Sequence, residues 1–362
     1  MTNHPWHAGV LGFALAGCAP PEPPLQLEVL VPALDTVVTP YLDVTDAIPL
    51  AAGRWVVIAP QEPAVATVDT RSGGTRRFGG RQAGELEQPF HLFRSGDTIY
   101  IADWQRRRLT LWSLGETLIG ALTAPDGLRG ALPRARDQGG NWYFELRTPP
   151  GPEGRGNLDS ASIVRVRADW AAADTIARLA PLDLAEVISD GRVRLERRLL
   201  SGQDRWGVLS NGTVWVARVG ANQVEWRDPA GAWRRGLQLP DRVLPITEND
   251  RQLFLRRFDA SLRPTVEQIP FSAIKPPFEN AVTGRDGLVW LVKSRAVGDT
   301  VREYQVVDST SRLVRYLAHP GIGRLVGLGD GELLVAEPFE QGVRLLVFPI
   351  VPASAPSKEM TP

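Results

Sequence analysis

Alternation of apolar and polar positions is the strongest signal along this chain. Six short segments share one pattern, a turn residue followed by alternating β-branched, aromatic or leucine positions. They are RWVVIAP from Arg54, DTIYIAD from Asp97, GNWYFEL from Gly140, GTVWVAR from Gly212, GLVWLVK from Gly287 and GELLVAE from Gly331. Successive starts lie 43, 43, 72, 75 and 44 residues apart. A unit of this shorter length suits a four-stranded propeller blade, and the two long intervals read as blades with inserted segments.

Each segment sits in the same local frame. Turn residues precede it (RSGD, DQGG, LSNG, GRDG, GLGDG), and Asn-Gly or Asp-Gly favours a two-residue hairpin. A shorter strand lies upstream (HLFRS, WGVLS, ENAVT, RLVGL) and a hairpin downstream (LTLWSLGETLIGALTAP, YQVVDSTSRLVRYLAHP). Every unit therefore reads strand A, hairpin, strand B, loop, strand C, hairpin, strand D. The predicted fold class is all-β, a six-bladed β-propeller of four-stranded antiparallel blades. A blade cannot bury both faces alone, so stacking on its neighbours must make the core. The 11 tryptophans suit such wide sheet-on-sheet contacts. The last unit shows only strands A, B and C. LQLEVLV, Leu25 to Val31, is expected to supply its fourth strand and lock the ring.

The YIADWQRRRLTLW unit, with GRQAGELEQPFHL before it, resembles NHL-type propeller repeats. Residues 40–350 are similar as a whole to NHL/TolB-like six-bladed propellers secreted by bacteria. The resemblance implies the fold and leaves the activity open. Propeller lactonases and related hydrolases bind Ca²⁺ or Zn²⁺ on one face through carboxylate, Asn and His. A metal-dependent hydrolase of this architecture would use Asp103, Glu145 and His91, and Ca²⁺ is the cofactor such oxygen donors suit. The metal-ligand motifs of those enzymes are not matched.

The B–C and D–A loops of a propeller emerge on one face. Three long segments belong to those classes, residues 148–158, 181–204 and 241–277. Long ordered loops in compact domains are more often functional than not. In the third, Thr247 and Asp250 are placed as a capping box. Phe254, Phe258 and Leu262 follow at helical spacing, and Pro264 suits the start of a second short helix. Helices are predicted there; a strand hairpin forming a partial extra blade is the alternative.

Counting back from each strand B places His91, Arg134, Arg205, Glu279, Asn280 and Arg324 on the strands that ring the central channel. Asp103, Glu145 and Glu337 lie at the ends of strands B. These residues are the candidates for ligand binding at the channel mouth, where the arginines suit an anionic group such as a carboxylate or sugar acid. The competing expectation is that they satisfy backbone groups and one another. For Asp103 the simplest role is a hydrogen bond at its strand end. The sequence has no H-E-x-x-H, paired cysteines, P-loop, G-x-S-x-G elbow or EF-hand loop, so no catalytic residue is assigned.

Lys+Arg and Asp+Glu are 41 each, so no whole-molecule field draws the chain to nucleic acid or an anionic surface. The single cysteine, Cys18, excludes an intramolecular disulfide. It follows a short apolar stretch, and Leu15-Ala16-Gly17-Cys18 resembles the bacterial lipobox, whose cysteine is diacylated. That implies a signal peptide over residues 1–17 with Cys18 as the lipidation site, although MTNHPWH lacks the positive charge of such leaders. Residues 18–35 then read as a proline-rich tether with the closing strand, 36–351 as the propeller with its insert at 241–277, and 352–362 as a disordered tail. The expected protein is exported, either lipid-anchored in a bacterial cell envelope or secreted, and monomeric. It binds a small molecule, glycan or envelope protein on its loop-rich face without catalysis, and meets the membrane through its lipid alone. A metal-dependent hydrolase and an envelope scaffold are the alternatives. Cys18→Ser is expected to shift the protein from the membrane to the soluble fraction; a wild type already soluble on fractionation refutes lipidation.

Overall fold

The structure, a computed structural model, describes residues 25–32, 36–81, 85–123, 125–147, 161–189, 191–340 and 342–350. Its strands form six four-stranded antiparallel blades, and blade 5 carries one strand more. Blade 1 runs Asp46–Ala51, Arg54–Ala59, Ala64–Asp69 and Thr75–Gly80 as strands A to D. Blade 2 is Pro89–Ser95, Thr98–Asp103, Arg108–Ser113 and Leu118–Thr123; blade 3 is Pro133–Arg136, Trp142–Leu146, Ser162–Val166 and Ala173–Arg178. Blade 4 is Arg205–Val208, Val214–Arg218, Gln223–Arg227 and Trp233–Arg235; blade 5 is Phe278–Thr283, Val289–Lys293, Val301–Val307 and Leu313–Pro320. Blade 6 takes strands A to C from Arg324–Leu328, Glu332–Phe339 and Gly342–Pro349. Every A–B turn holds a glycine in the left-handed region, with φ from 58° at Gly96 to 84° at Gly212. Side chains with a Cβ are strained there, so the glycines that mark the units in the sequence are what reverses the chain.

The alternating apolar residues build six cores, one in each seam between neighbouring blades. Trp55 of blade 1 packs with Leu334 of blade 6, and Ile58 of blade 1 with Trp112 of blade 2. Tyr100 meets Phe144 between blades 2 and 3, and Tyr143 meets Val216 between blades 3 and 4. Trp215 meets Phe278 between blades 4 and 5, and Trp290 meets Phe348 between blades 5 and 6. Each fully buried Leu, Ile or Phe contributes about 1.5–3 kcal/mol, so the ring is held by the sum of its seams.

Closure differs from expectation. The fourth strand of blade 6 is Thr36–Thr39, antiparallel to Gly342–Pro349, with Val37 buried in the core beside blade 1. The segment expected in that place adds instead to blade 5: Leu27–Val29 runs parallel to Leu313–Pro320. Glu28 accepts from Arg315 through both carboxylate oxygens, which fixes the added strand there. Leu30 is buried in the core between blades 5 and 6, so LQLEVLV does strengthen a seam, but a different one.

Two inserts have structure of their own. Ahead of blade 4, Leu184–Ser189 and Arg192–Arg197 form a two-stranded hairpin, where only a long loop was expected. Ahead of blade 5, helix α1 spans Glu248–Leu255 and helix α2 spans Arg263–Glu267, with a proline in its first turn. Thr247 and Asp250 form the expected capping box. Phe258 and Leu262 lie beyond α1, because the chain leaves it through tight turns, Phe258 N to the Leu255 carbonyl and Leu262 N to the Asp259 carbonyl. Residues 148–160, which include the first expected insert, and Cys18 lie outside the described residues.

One titratable side chain lies inside the seam of blades 5 and 6. His319 is 0% exposed, with ring centroids 5.7 Å from Tyr304 and 4.9 Å from Phe348. Its Nδ1 donates to the Pro320 carbonyl at 2.7 Å, and Nε2 has no partner among the described residues. Burial pushes its pKa below the ordinary 6.5, outweighing the pull of the Pro320 carbonyl. The unfolded chain therefore takes up this proton first, and the stability present above pH about 6.5 is lost as the pH falls below it. Thermal denaturation should show Tm falling from about pH 7 to pH 5, and His319→Phe should flatten that slope. A slope unchanged in the variant excludes His319 as its source.

Candidate functional site

The D–A and B–C connections of every blade leave the ring on one face. On that face a polar side chain bridges each seam. His91 of blade 2 lies 2.9 Å from Asp46 Oδ2 of blade 1 through Nδ1, and 3.0 Å from the Arg134 carbonyl of blade 3 through Nε2. Trp206 Nε1 of blade 4 donates to Glu145 Oε2 of blade 3 at 2.9 Å. Arg205 of blade 4 donates to the Glu279 carbonyl of blade 5 at 3.1 Å. Arg302, on strand C of blade 5, donates to the Gly323 carbonyl at 3.3 Å, just ahead of blade 6. Arg324 of blade 6 donates to the Val44 carbonyl at 3.2 Å, just ahead of blade 1, and pairs with Asp43.

The central channel, about 840 Å³, is lined by the A strands of all six blades. Of the expected residues, His91 and Arg134 line it, together with Asp46. Asp46 was missed because a fixed count back from strand B fails in blade 1. Asp46 pairs with Ile58 as His91 pairs with Ala102, on equivalent rungs of hairpins of unequal length. Following the alternation back along DAIPLA would have found it.

The residues at the ends of strands B do not converge. Asp103 is fully buried: Oδ2 accepts from Glu87 N at 2.7 Å, and Oδ1 accepts from Gln88 N at 3.1 Å and Arg106 N at 3.2 Å. It fastens the link from blade 1 to the end of its own strand. Other residue types do similar work in the same register. Arg218 pairs with Asp204 at 2.8 Å and Lys293 with Asp241 at 2.7 Å, both acids in the links ahead of their blades, whereas Glu337 pairs with Arg344 on the next strand of its own blade. Glu145 is held by Trp206 and by Arg134 at 3.5 Å. Among the described residues no three His, Cys, Asp or Glu side chains form a metal-binding group. Asp103, Glu145 and His91 therefore do not fit a shared Ca²⁺ or Zn²⁺, and no reaction step is derived through one.

A second cavity, about 660 Å³, opens among the loops of the same face. Its walls come from the end of the hairpin ahead of blade 4, from α1, from the lead-in to blade 5 and from the B–C loop of blade 5. Asp250 anchors α1 there: it caps the helix with Thr247 and pairs with Lys275, which also donates to the Arg295 carbonyl at 2.6 Å. Burial raises the Asp250 pKa, but the Lys275 ammonium and the Thr247 hydrogen bonds outweigh it and leave the carboxyl below its ordinary range. Arg302 pairs with Glu279 at 2.7 Å.

Three further guanidiniums here have no carboxylate partner among the described residues. Arg197 donates to Ser201 Oγ at 3.1 Å and Gln203 Oε1 at 2.8 Å. Arg205 has its one bond to the Glu279 carbonyl, and its Nε is buried without a partner. Arg295 donates to the Asp299 carbonyl at 3.3 Å. Burial pushes all three pKa values down, and nearby cations add to it: Arg147 for Arg197, Arg134 and Arg197 for Arg205, Arg302 for Arg295. Of the expected residues, Arg205 and Glu279 lie in this cleft; Asn280, Arg324 and Glu337 line neither cavity. Arg197, Arg295 and Arg302 were missed, since none sits on strand A or at the end of strand B.

No family model matches the chain, and no curated protein matches its sequence. Among solved structures it is similar to a member of the DUF4221 family from Bacteroides vulgatus, at 9% identity and a TM-score of 0.50, over 88% of this chain and 97% of that one. It is also similar to a gluconolactonase from Xanthomonas campestris, at 13% identity and a TM-score of 0.46, over 91% and 99% of the two chains. Regucalcin from Agrobacterium tumefaciens, a calcium-binding protein, matches at 12% identity and a TM-score of 0.43, over 90% and 97%. At such identities the likeness is one of fold. The six-bladed β-propeller implied by the NHL/TolB-type resemblance is the fold of this chain.

Replacing Asp103 strands three backbone donors at once. Asp103→Ala is expected to cost about 1–3 kcal/mol or more in urea unfolding. A loss below about 0.5 kcal/mol would show that water replaces the carboxylate there.

Proposed function

We propose that this chain is an exported, lipid-anchored propeller that binds a small molecule, glycan or protein on its loop-rich face, without catalysis. One observation carries the reading: insertions that the propeller itself does not need close one side of a cleft of about 660 Å³, whose other side is blade 5 and its B–C loop. Structured inserts that meet around a concavity are a usual way for a rigid scaffold to present a binding site. The candidate acids and bases of the A and B strands are spent on seams and links, which leaves no uncommitted acid–base pair at the channel mouth among the described residues. The lipid anchor rests on the Cys18 motif, and no helix among the described residues is long and apolar enough to cross a membrane.

An envelope scaffold is the second reading. The added strand of blade 5 presents Leu25, Leu27, Val29 and Val31 on its outer side, exposed by 47, 42, 63 and 72%. Such an apolar edge suits strand addition by a partner.

Thermal-shift measurement with panels of glycans and metabolites tests the first reading. A ligand that raises the Tm of wild type should leave Val297→Trp, whose side chain fills the cleft, unshifted. Equal shifts in both proteins place binding elsewhere, and turnover of the ligand contradicts a purely binding role.

A further inference from the structure

The cleft holds more positive charge than its own carboxylates neutralise. Six cations line it, Arg197, Arg205, Arg257, Lys275, Arg295 and Arg302, against the three carboxylates Asp250, Glu279 and Asp299. Lys275 is taken by Asp250 and Arg302 by Glu279. Asp299 turns away to Arg242 at 3.3 Å. Four guanidiniums are left without an acid among the described residues. Elsewhere the fold does supply them: Arg218 is flanked by Asp204 and Glu225, both at 2.8 Å, and those partners raise its pKa although burial lowers it. Arg205 and Arg295 of the cleft differ: no carboxylate among the described residues pairs with them directly, and burial together with neighbouring cations outweighs the more distant acids.

The geometry points to a site for an organic acid of disaccharide size that carries two or more carboxylates, gripped by Arg197, Arg205 and Arg295. This rests on the reading of the cleft as the ligand site. A planar carboxylate accepts two parallel N–H bonds from one guanidinium. Arg205 keeps its Nε without a partner among the described residues, so its guanidinium is not saturated by the protein. The body of the ligand lies against Leu253 and Phe254 of α1, and Arg257 stands over the Phe254 ring at 5.8 Å as a fourth, outer cation. The volume admits a ligand of disaccharide size. An entering acid relieves the repulsion among the guanidiniums, so the site favours anions over neutral molecules of the same shape.

Calorimetric titration of the full chain with digalacturonate, neutral cellobiose and glucose 1,6-bisphosphate tests this. Digalacturonate is expected to bind, and cellobiose to bind about tenfold more weakly or worse. Arg205→Gln and Arg295→Gln, singly and together, should each lose about tenfold or more of the digalacturonate affinity. Without ligand, the Tm of Arg295→Gln should hold level or rise, since one of several repelling cations is gone, whereas Arg205→Gln also gives up the bond to the Glu279 carbonyl and should lower it slightly. Absence of digalacturonate binding, or binding indifferent to both substitutions, overturns the proposal. Equal affinity for cellobiose and digalacturonate overturns the anion requirement and leaves the cleft as a binding site. Tighter binding of the bisphosphate assigns the arginines to phosphate and overturns the carboxylate class. Equal binding of digalacturonate to wild type and Val297→Trp removes the cleft itself, and the proposed function with it.

Discussion

Burial between blades is the constraint on which everything else here depends. A single four-stranded blade has two apolar faces and no means of covering either. The six cores lie in the seams, with large rings such as Trp55, Trp215 and Trp290 fully buried there. Each seam is also tied on the loop-rich face, by His91, Trp206, Arg205, Arg302 and Arg324 acting across blade boundaries. These bonds add little energy beside the buried area, at about 0.5–1.5 kcal/mol each. They fix which residues face which across a seam. That double construction leaves His91, Glu145 and Arg324 committed to the seams, whereas Arg205 gives its seam a single bond.

The same division of labour separates the ring from its cleft. Ring charges are matched: Arg218 between two acids, Lys293 on Asp241, Arg344 on Glu337. In the cleft only two of six cations are paired, and the surplus arises where an insert meets a blade. Half-buried cations without acid partners add no stability to a fold, and that contrast with the paired charges of the ring is what the proposed ligand site rests on. The fastening of α1 through Thr247, Asp250 and Lys275 holds that surplus in place.

The fold was legible because strand alternation and turn glycines are local: GTVWVAR and GLVWLVK announce strands without reference to the rest of the chain. The capping box at Thr247 was legible for the same reason. Errors arose where local pattern had to be converted into pairing. LQLEVLV alternates as a strand, but TVVT, not singled out from the sequence, is the one that pairs with blade 6, and only hydrogen-bond partners decide that the first joins blade 5. Bulges and unequal A–B hairpins defeated the count that should have found Asp46. The run LAEVISDGRVRLER alternates around an Asp-Gly and could have been read as the hairpin it contains. The cleft was least legible. Arg197, Arg205, Arg295 and Arg302 come from a hairpin end, a strand A, a loop and a strand C, and nothing in their spacing links them.

The clasp also sets an order of events. Thr39 bonds Val343 across 304 residues, so the ring closes between near-opposite ends of the chain. Joining ends so far apart costs on the order of 5 kcal/mol in chain entropy. During synthesis from the N-terminus, Thr36–Thr39 has no partner until Gly342–Pro349 has emerged. Until then the outer face of blade 1 stays bare, with Trp55 and its neighbours uncovered. The first blade to be made is thus the last to be sealed, and the ring becomes a ring in one late step.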